Sequence, residues 1–537
     1  MHKPFVAGNV CLSILIALMD CTPAAASVFS DESRYDDLQL LLGAGTPTGA
    51  GVRVMHVEAN NDPNLDMDGQ PLDGGFDFVP DPANADFLNP DKTFNVLIPP
   101  GTTSADISAH ATGTTGQPMY GNLTSIAPGV LEIDVLLSGH WLQSGLLNAI
   151  TASEPLVVPP GGGGNTIARV ANHSWIGSGT SDESLDILQR LDWLIHTDNI
   201  IQIAGVNNSP SRDATNPCLL SGAFNAITAG RTEGNHATST FTTLGSLYVA
   251  WRTKPDLVVP GTSSTSNSAA RMTSAAAVLI QVGHDGALQL SHGSQQTRNA
   301  GSPGPPNRAT IFHAENSEVI RAAFMAGASR ADVTASDNAG FNDIYTVSTS
   351  NGLDARYGAG ELDMVNSYEI ITAGEQDSRE EGNLTDISAS GFDYDPSFTD
   401  ADGATYDFTI SVPSLLAATL VWNVDIDIDD VVEVNNEVNP NLTNAATLYD
   451  LDLLLIDRSS GTQVAGSQST IENTENIYLP TLGAGDYSLS VVPKSGQSFT
   501  WDYGLAWRFE AIPGPGSMMV WLGLMLGARR RRWVTKL

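Results

Sequence analysis

Two different apolar rhythms divide the chain. Between residue 49 and about residue 373, short runs of branched apolar residues alternate with longer segments of helical spacing. "GVRVMHVEA", "GVLEIDVLL" and "NIIQIAGV" carry few charges, as strands buried on both faces of a parallel sheet do. "SDESLDILQRLDWLIH" opens with Ser181 and Asp182 as capping candidates and continues with helical apolar spacing. "TSNSAARMTSAAAVLI" (265–280) predicts an alanine-rich buried helix, and "SEVIRAAFMAGA" from Ser317 another, stopping near Gly327. Such alternation predicts an α/β domain with a mostly parallel sheet. Residues 28–50 form a lead-in, and the loops at 159–165 and 290–308 are surface excursions.

The rhythm changes after the acidic bridge "GEQDSREEGNLTD". "TYDFTISV", "LAATLVWNVDI", "YDLDLLLID", "NIYLPTL", "DYSLSVVP" and "YGLAWRFEA" follow, separated by turn residues and without a helical pattern. They predict an all-β sandwich or jelly roll over 385–510, after an α/β domain over 27–375.

Composition adds limits. The 537 residues are 41% hydrophobic and 16% charged, enough for two or three domains. Asp and Glu outnumber Lys and Arg by 60 to 25, a net charge of −35. That charge argues against nucleic-acid or anionic-lipid binding, which needs clustered cations. Residues 1–26 have a basic start, an apolar run from Val10 to Met19 and a small-residue end at Ala26, the order of a signal peptide for signal peptidase. Cys11 and Cys21 would leave with it, so Cys218 has no internal partner.

Residues 511–537 join a Pro/Gly spacer, an apolar stretch of about ten residues and Arg529–Arg532. The stretch is half the roughly 20 residues a spanning helix needs, and the arginines hold its end on the cytoplasmic side. The segment resembles a PEP-CTERM sorting signal, with Gly514 at the usually acidic position. That resemblance implies transient membrane contact, processing by an exosortase, and an extracellular or cell-surface protein.

Four residues carry the candidate chemistry, each with a plainer reading when taken alone. Glu58 ends a buried strand, where a carboxylate can orient an imidazole or simply face water. His110 precedes the small residues of "ATGTTG", and Ser266 stands at the start of the alanine helix, where free N–H groups favour negative charge. Asn207 follows a strand, and its amide can serve an oxyanion or a turn.

Their order of acid, histidine, asparagine and serine within one α/β domain resembles the subtilisin-like serine proteases over roughly residues 46–373. The histidine motif corresponds to "HATGTTG" (110–116), the serine motif to "STSNSAA" (264–270), and the oxyanion asparagine falls on Asn207, with Asn208 one register away. The edge strand that pairs with substrate corresponds to Ser174, Trp175 and Ile176. "KPDLVVPG" and "RYGAGELD" are further landmarks, and the segment after 385 resembles the jelly roll found C-terminal to some members.

The resemblance implies a Glu58/His110/Ser266 triad that hydrolyses polypeptide substrates without a cofactor or catalytic metal. The pattern departs at Glu58 for aspartate, Ala111 and Gly113 in the histidine motif, and Ser264, Ala270 and Arg271 around the serine. No inhibitory propeptide of normal size fits between Ala26 and Gly49. The alternative is therefore a catalytically inactive surface or matrix protein on the same fold. Two acidic runs, Asp62/Asp66/Asp68/Asp73 and Asp425/Asp427/Asp429/Asp430, offer oxygens for structural calcium without the spacing of a recognised calcium loop.

Overall fold

Seven strands make the central sheet: β1 (Val54–Glu58), β2 (Thr93–Leu97), β3 (Glu132–Leu137), β4 (Val170–His173), β5 (Ile201–Gly205), β6 (Ile227–Arg231) and β7 (Leu257–Val259). They run in the order β2-β3-β1-β4-β5-β6-β7, and every pair is parallel. All seven carboxyl ends therefore share one edge, and Glu58 lies on it. The computed structural model describes residues 28–512 except 62–74, 99–103, 144–146, 148–167, 178, 210–218, 298–308, 332, 334–343, 402, 428–444, 495 and 497.

Successive strand side chains point to opposite faces, and each face has its own core. Val54, Ile133 and Ile203 join one cluster, while Met55, Leu136 and Ala204 join the other. Helix α1 (Ser181–Asp198) covers the second face with Leu188, Leu191 and Leu194. Helices α2 (Thr265–His284), α3 (Ser317–Gly327) and α4 (Met364–Thr372) contribute Ala276, Phe324 and Ile370 to the first. Burial on both faces explains why the strand sequences are nearly continuously apolar.

Local chemistry corrects one expectation. The cap of α1 is Thr180, one residue ahead of Ser181 and Asp182. Its hydroxyl accepts the Glu183 N–H, and Glu183 accepts the Thr180 N–H at 2.8 Å, a reciprocal capping box. The lead-in forms two short helices, Val28–Glu32 and Tyr35–Leu42, with Phe29 and Leu38 fully buried and Arg34 paired to Asp363 at 2.8 Å. In "KPDLVVPG", Asp256 accepts from the Thr228 N–H and hydroxyl at 2.6 Å each and pairs with Arg321 at 2.6 Å. Burial alone would raise that carboxyl, but the Arg321 and Lys254 charges and the Thr228 hydroxyl hold it at about 2.

Helix α2 comes very close to the sheet. Ala269, Ala270, Ala275, Ala276 and Ala277 have no exposed surface. At Gly205 a β-carbon would stand 2.8 Å from the Thr265 carbonyl oxygen. No side chain fits there without moving the helix.

The C-terminal region has two four-stranded antiparallel sheets. With β8 (Ser390–Thr399), β9 (Ala404–Ile410), β10 (Ser414–Val421), β11 (Leu451–Asp457), β12 (Thr462–Ser467), β13 (Thr474–Leu482), β14 (Gly485–Pro493) and β15 (Thr500–Ala511), the orders are β8-β15-β10-β13 and β9-β14-β11-β12. Both sheets feed one core containing Phe408, Leu420, Leu455, Leu489 and Trp507. Strands β8 and β12 are not foreseen in the sequence. Strand β8 mixes apolar residues with Asp393, Asp395 and Pro396, and β12 is an exposed edge with no apolar alternation. In the 290–308 excursion, Ser294–Gln296 pairs antiparallel with Thr310–Phe312.

This β-domain is not a loose appendage. Val421 and Ala506 belong to the same core as α2 and α3, and Arg508 Nε donates to the Ala326 carbonyl at 3.1 Å. Among the described residues, no helix is long and apolar enough to cross a membrane. The expected signal peptide, the tail beyond Ile512, the 159–165 loop, Cys218, Asp62, Asp66, Asp68, Asp73, Asp429 and Asp430 lie outside the described residues.

Replacing Gly205 by alanine should destabilise the protein by about 1–3 kcal/mol through the forced shift of α2. Chemical unfolding of wild type and G205A measures it, and an unchanged midpoint would contradict the close approach.

Candidate active site

Glu58 is buried at the carboxyl end of β1, and four donors saturate its two oxygens. Oε1 accepts from His110 Nδ1 at 2.9 Å and from the Ala59 N–H at 3.2 Å. Oε2 lies 3.3 Å from His56 Nε2 and 3.2 Å from the donating Thr115 hydroxyl. Burial alone would raise this carboxyl, but the hydrogen bonds and charges of His110 and His56 outweigh it and hold it at about 2. Glu58 is therefore an anion at neutral pH. An anion cannot donate, so His110 Nδ1 carries the proton and Nε2 is left as the basic nitrogen.

His110 opens a single π-helical stretch, His110–Gly116, and remains partly exposed. Burial lowers its pKa, while the hydrogen bond and charge of Glu58 raise it, and the net effect is upward from 6.5. The stretch packs on α2, where Asn267 Nδ2 donates to the Thr114 carbonyl at 3.0 Å.

Ser266 lies in the first turn of α2, after Ser264 as the cap. Ser264 has φ −153° and ψ 161°, ordinary extended backbone, so a side chain is tolerated where the serine motif has glycine. Its Oγ accepts the Asn267 N–H at 3.1 Å. Ala270 continues the buried helix, and Arg271 is turned to the lead-in, 4.8 Å above the Phe29 ring, with a hydrogen bond to the Pro260 carbonyl. These departures fit the local backbone.

Ser266 and Ser174 are joined twice. Ser266 Oγ donates to the Ser174 carbonyl at 3.1 Å, and Ser174 Oγ donates to the Ser266 carbonyl at 2.8 Å. Among the described residues no hydrogen bond links Ser266 Oγ to His110. A cavity of about 100 Å³ opens beside the serine, lined by Ser174, Trp175, Ile176, Gly205 and Asn208 among others. Residues 174–176 follow β4 outside the sheet without regular secondary structure; Trp175 is buried and Ile176 is 45% exposed.

The two asparagines play different parts. Asn207 Oδ1 accepts the Ser209 N–H at 3.0 Å, a local turn contact. Asn208 Oδ1 takes the Thr265 N–H at 2.8 Å and the Thr265 hydroxyl at 3.1 Å, and Asn208 lines the cavity. The amide at the serine cavity is thus Asn208, one register beyond the residue singled out in the sequence.

His56 and Thr115 also escaped the sequence reading. His56 is fully buried, with Nδ1 3.0 Å from the Tyr120 hydroxyl and Nε2 2.9 Å from the Thr115 hydroxyl. With Tyr120 donating to Nδ1, the Nε2 proton faces Thr115 and Glu58. The signal lay in "VMHVE", where a histidine interrupts an apolar strand two residues before the acid and so shares its face.

A family model described as "Subtilase family" matches residues 72–360, more than half of the chain. No match was found among the curated proteins. Among solved structures, MycP1 with its N-terminal propeptide removed is 15% identical, over 64% of this chain and 96% of its own, with a TM-score of 0.35. MycP1 from Mycobacterium smegmatis is 16% identical over 65% and 86%, with a TM-score of 0.34. The pre-peptidase C-terminal domain of collagenase from Bacillus anthracis is 14% identical, over 24% of this chain and all of its own, with a TM-score of 0.16.

The Glu58 contact should be readable by NMR. His110 is expected to titrate above 6.5 in wild type and to move down in Glu58→Gln, because the charge that favours imidazolium is gone. A His110 titration unaffected by E58Q would contradict the pairing.

Proposed function

The chain belongs to the subtilase family, and from that membership we propose that it is an exported serine endopeptidase in which Glu58, His110 and Ser266 act as the catalytic triad. The observation that carries this reading is the 2.9 Å bond from His110 Nδ1 to a saturated, ionised Glu58, on a turn packed against the helix of Ser266. In the reaction His110 Nε2 takes the Ser266 proton as the serine attacks a peptide carbonyl, then returns it to the leaving amine. Glu58 stays ionised throughout and stabilises the imidazolium. Its extra methylene over aspartate is accommodated, since the carboxylate meets Nδ1 at an ordinary distance.

The Ser266 hydroxyl, held by the Ser174 carbonyl in the free protein, turns to His110 when substrate arrives; catalytic hydrogen bonds commonly tighten only in the substrate complex. The oxyanion falls to the Ser266 N–H and to Asn208 Nδ2. Thr265 holds the Asn208 carbonyl oxygen, which leaves the amide nitrogen as the donor. The chain at Ser174, Trp175 and Ile176, which lies outside the sheet, receives the substrate backbone as an added strand. No metal takes part in the chemistry, and calcium, if bound by the acidic loops, is structural. The β-domain supports stability or substrate capture. Export through residues 1–26, with sorting through 511–537, places the activity outside the cytoplasm.

The test is labelling with a fluorophosphonate probe together with casein cleavage. Wild type should label and cleave, and Ser266→Ala should lose both, with a fall in kcat on the order of 10⁶-fold. Asn208→Ala should lower kcat by about 10²–10³-fold, whereas Asn207→Ala should leave it nearly unchanged. Activity should rise with pH through the elevated His110 pKa, because only the neutral imidazole accepts the proton. Folded wild type that neither labels nor cleaves would instead favour the catalytically silent surface protein.

A further inference from the structure

Three side chains at the junction of the two domains have no part in this chemistry. His196 is in the last turn of α1, Glu318 in the first turn of α3, and Asp502 in β15. One ligand atom from each lies within 4.8 Å of the other two. His196 Nδ1 and Asp502 Oδ1 face each other at 3.9 Å, too far for a hydrogen bond. Both atoms are shut off from solvent, and neither has a hydrogen-bond partner among the described residues. A buried nitrogen and a buried carboxylate oxygen left open toward one gap need an occupant.

The surroundings orient each group from behind. Tyr394 donates its hydroxyl to Asp502 Oδ2 at 2.6 Å, which leaves Oδ1 for the gap. Ser317 donates to Glu318 Oε2 at 2.7 Å, and Asn423 Nδ2 donates to Oε1. The His196 ring stacks on Trp501, with centroids 4.4 Å apart and planes at 19°, and Trp501 Nε1 is tied to the Asn423 carbonyl at 2.8 Å. Such outer contacts are what fix metal ligands in place. Glu318 is buried close to Asp502, so a dication between them would offset two carboxylates brought together in a covered place. Close packing holds the junction rigid: a β-carbon on Gly504 would stand 2.9 Å from the Val319 nitrogen.

We infer that His196, Glu318 and Asp502 bind a divalent transition-metal cation of the zinc type, which ties the α/β domain to the β-domain. One imidazole nitrogen with two carboxylates suits zinc, whereas calcium and magnesium prefer oxygen alone. Two ligands each about 2.0–2.2 Å from zinc stand roughly 3.4 Å apart at the tetrahedral angle, so the 3.9 Å His196–Asp502 pair closes by about half an ångström, and Glu318, within 4.8 Å of both, moves in with it. His196 is 29% exposed and Asp502 13%, so the group lies near the surface although the two facing atoms are covered, and a water would complete the four ligands. Among the described residues the other such group, His292, Glu375 and Asp377, is already closed by its own bonds, with His292 Nδ1 on Asp377 and the His292 N–H on Glu375.

The full chain, stripped with chelator and re-equilibrated with zinc, tests this by metal analysis after gel filtration and by thermal unfolding. About one zinc per chain should be retained, with a rise in Tm that chelator reverses. His196→Ala and the near-isosteric Asp502→Asn should weaken retention at least about tenfold, Tyr394→Phe should weaken it less, and His292→Ala should not affect it. Circular dichroism checks that each variant is folded. Failure of folded wild type to retain zinc, or equal retention by wild type, H196A and D502N, would overturn the site. None of these readouts depends on peptidase activity.

Discussion

The site depends on how closely helix α2 lies against the carboxyl edge of the parallel sheet. Gly205 removes the side chain that would hold the helix off, and the run of buried alanines brings its backbone in. The first turn of the helix is thereby delivered to the edge where the strands present functional side chains. Asn208 fastens the first residue of that turn, Ser264 caps it, and Asn267 ties it to the turn that carries His110. A displaced helix would move Ser266 and break its ties to Asn208 and to the turn that carries His110.

Electrostatics settles the second requirement. A buried carboxylate without partners would be protonated and of little use to a histidine. At Glu58 four donors meet two oxygens, so ionisation persists in spite of burial. His56 and Thr115 occupy the oxygen that His110 does not use, which fixes the carboxylate and leaves its other oxygen aimed at Nδ1. The longer glutamate is workable here because this second set of donors gives its end a definite position. Tyr120 in turn fixes the His56 ring.

The β-domain extends the core of the α/β domain. Strand β15 runs along α3, with Gly504 against Glu318 and Val319 in its first turn and Arg508 on the Ala326 carbonyl in its last, and the same α3 supplies Arg321 to the buried Asp256 just before β7. The junction that houses His196, Glu318 and Asp502 is therefore mechanically continuous with the sheet that carries Glu58.

What the sequence determined by itself is what local pattern encodes. Apolar runs marked the strands buried on two faces, alanine spacing marked α2, and the change of rhythm after residue 375 marked the switch to antiparallel sheets. Motif order singled out Glu58, His110 and Ser266. Tertiary structure decided what depends on side-chain direction and on contacts across the chain. Asn207 and Asn208 are adjacent and chemically identical, and only the approach of Thr265 separates a turn residue from one that lines the serine cavity. His56 reads as a polar interruption of a strand until the turn around Thr115 folds over it. His196, Glu318 and Asp502 are spread over some three hundred residues, and no local pattern relates them. Hydrophobic periodicity reports which face of an element is buried, whereas polar geometry is set by which distant elements that burial brings together.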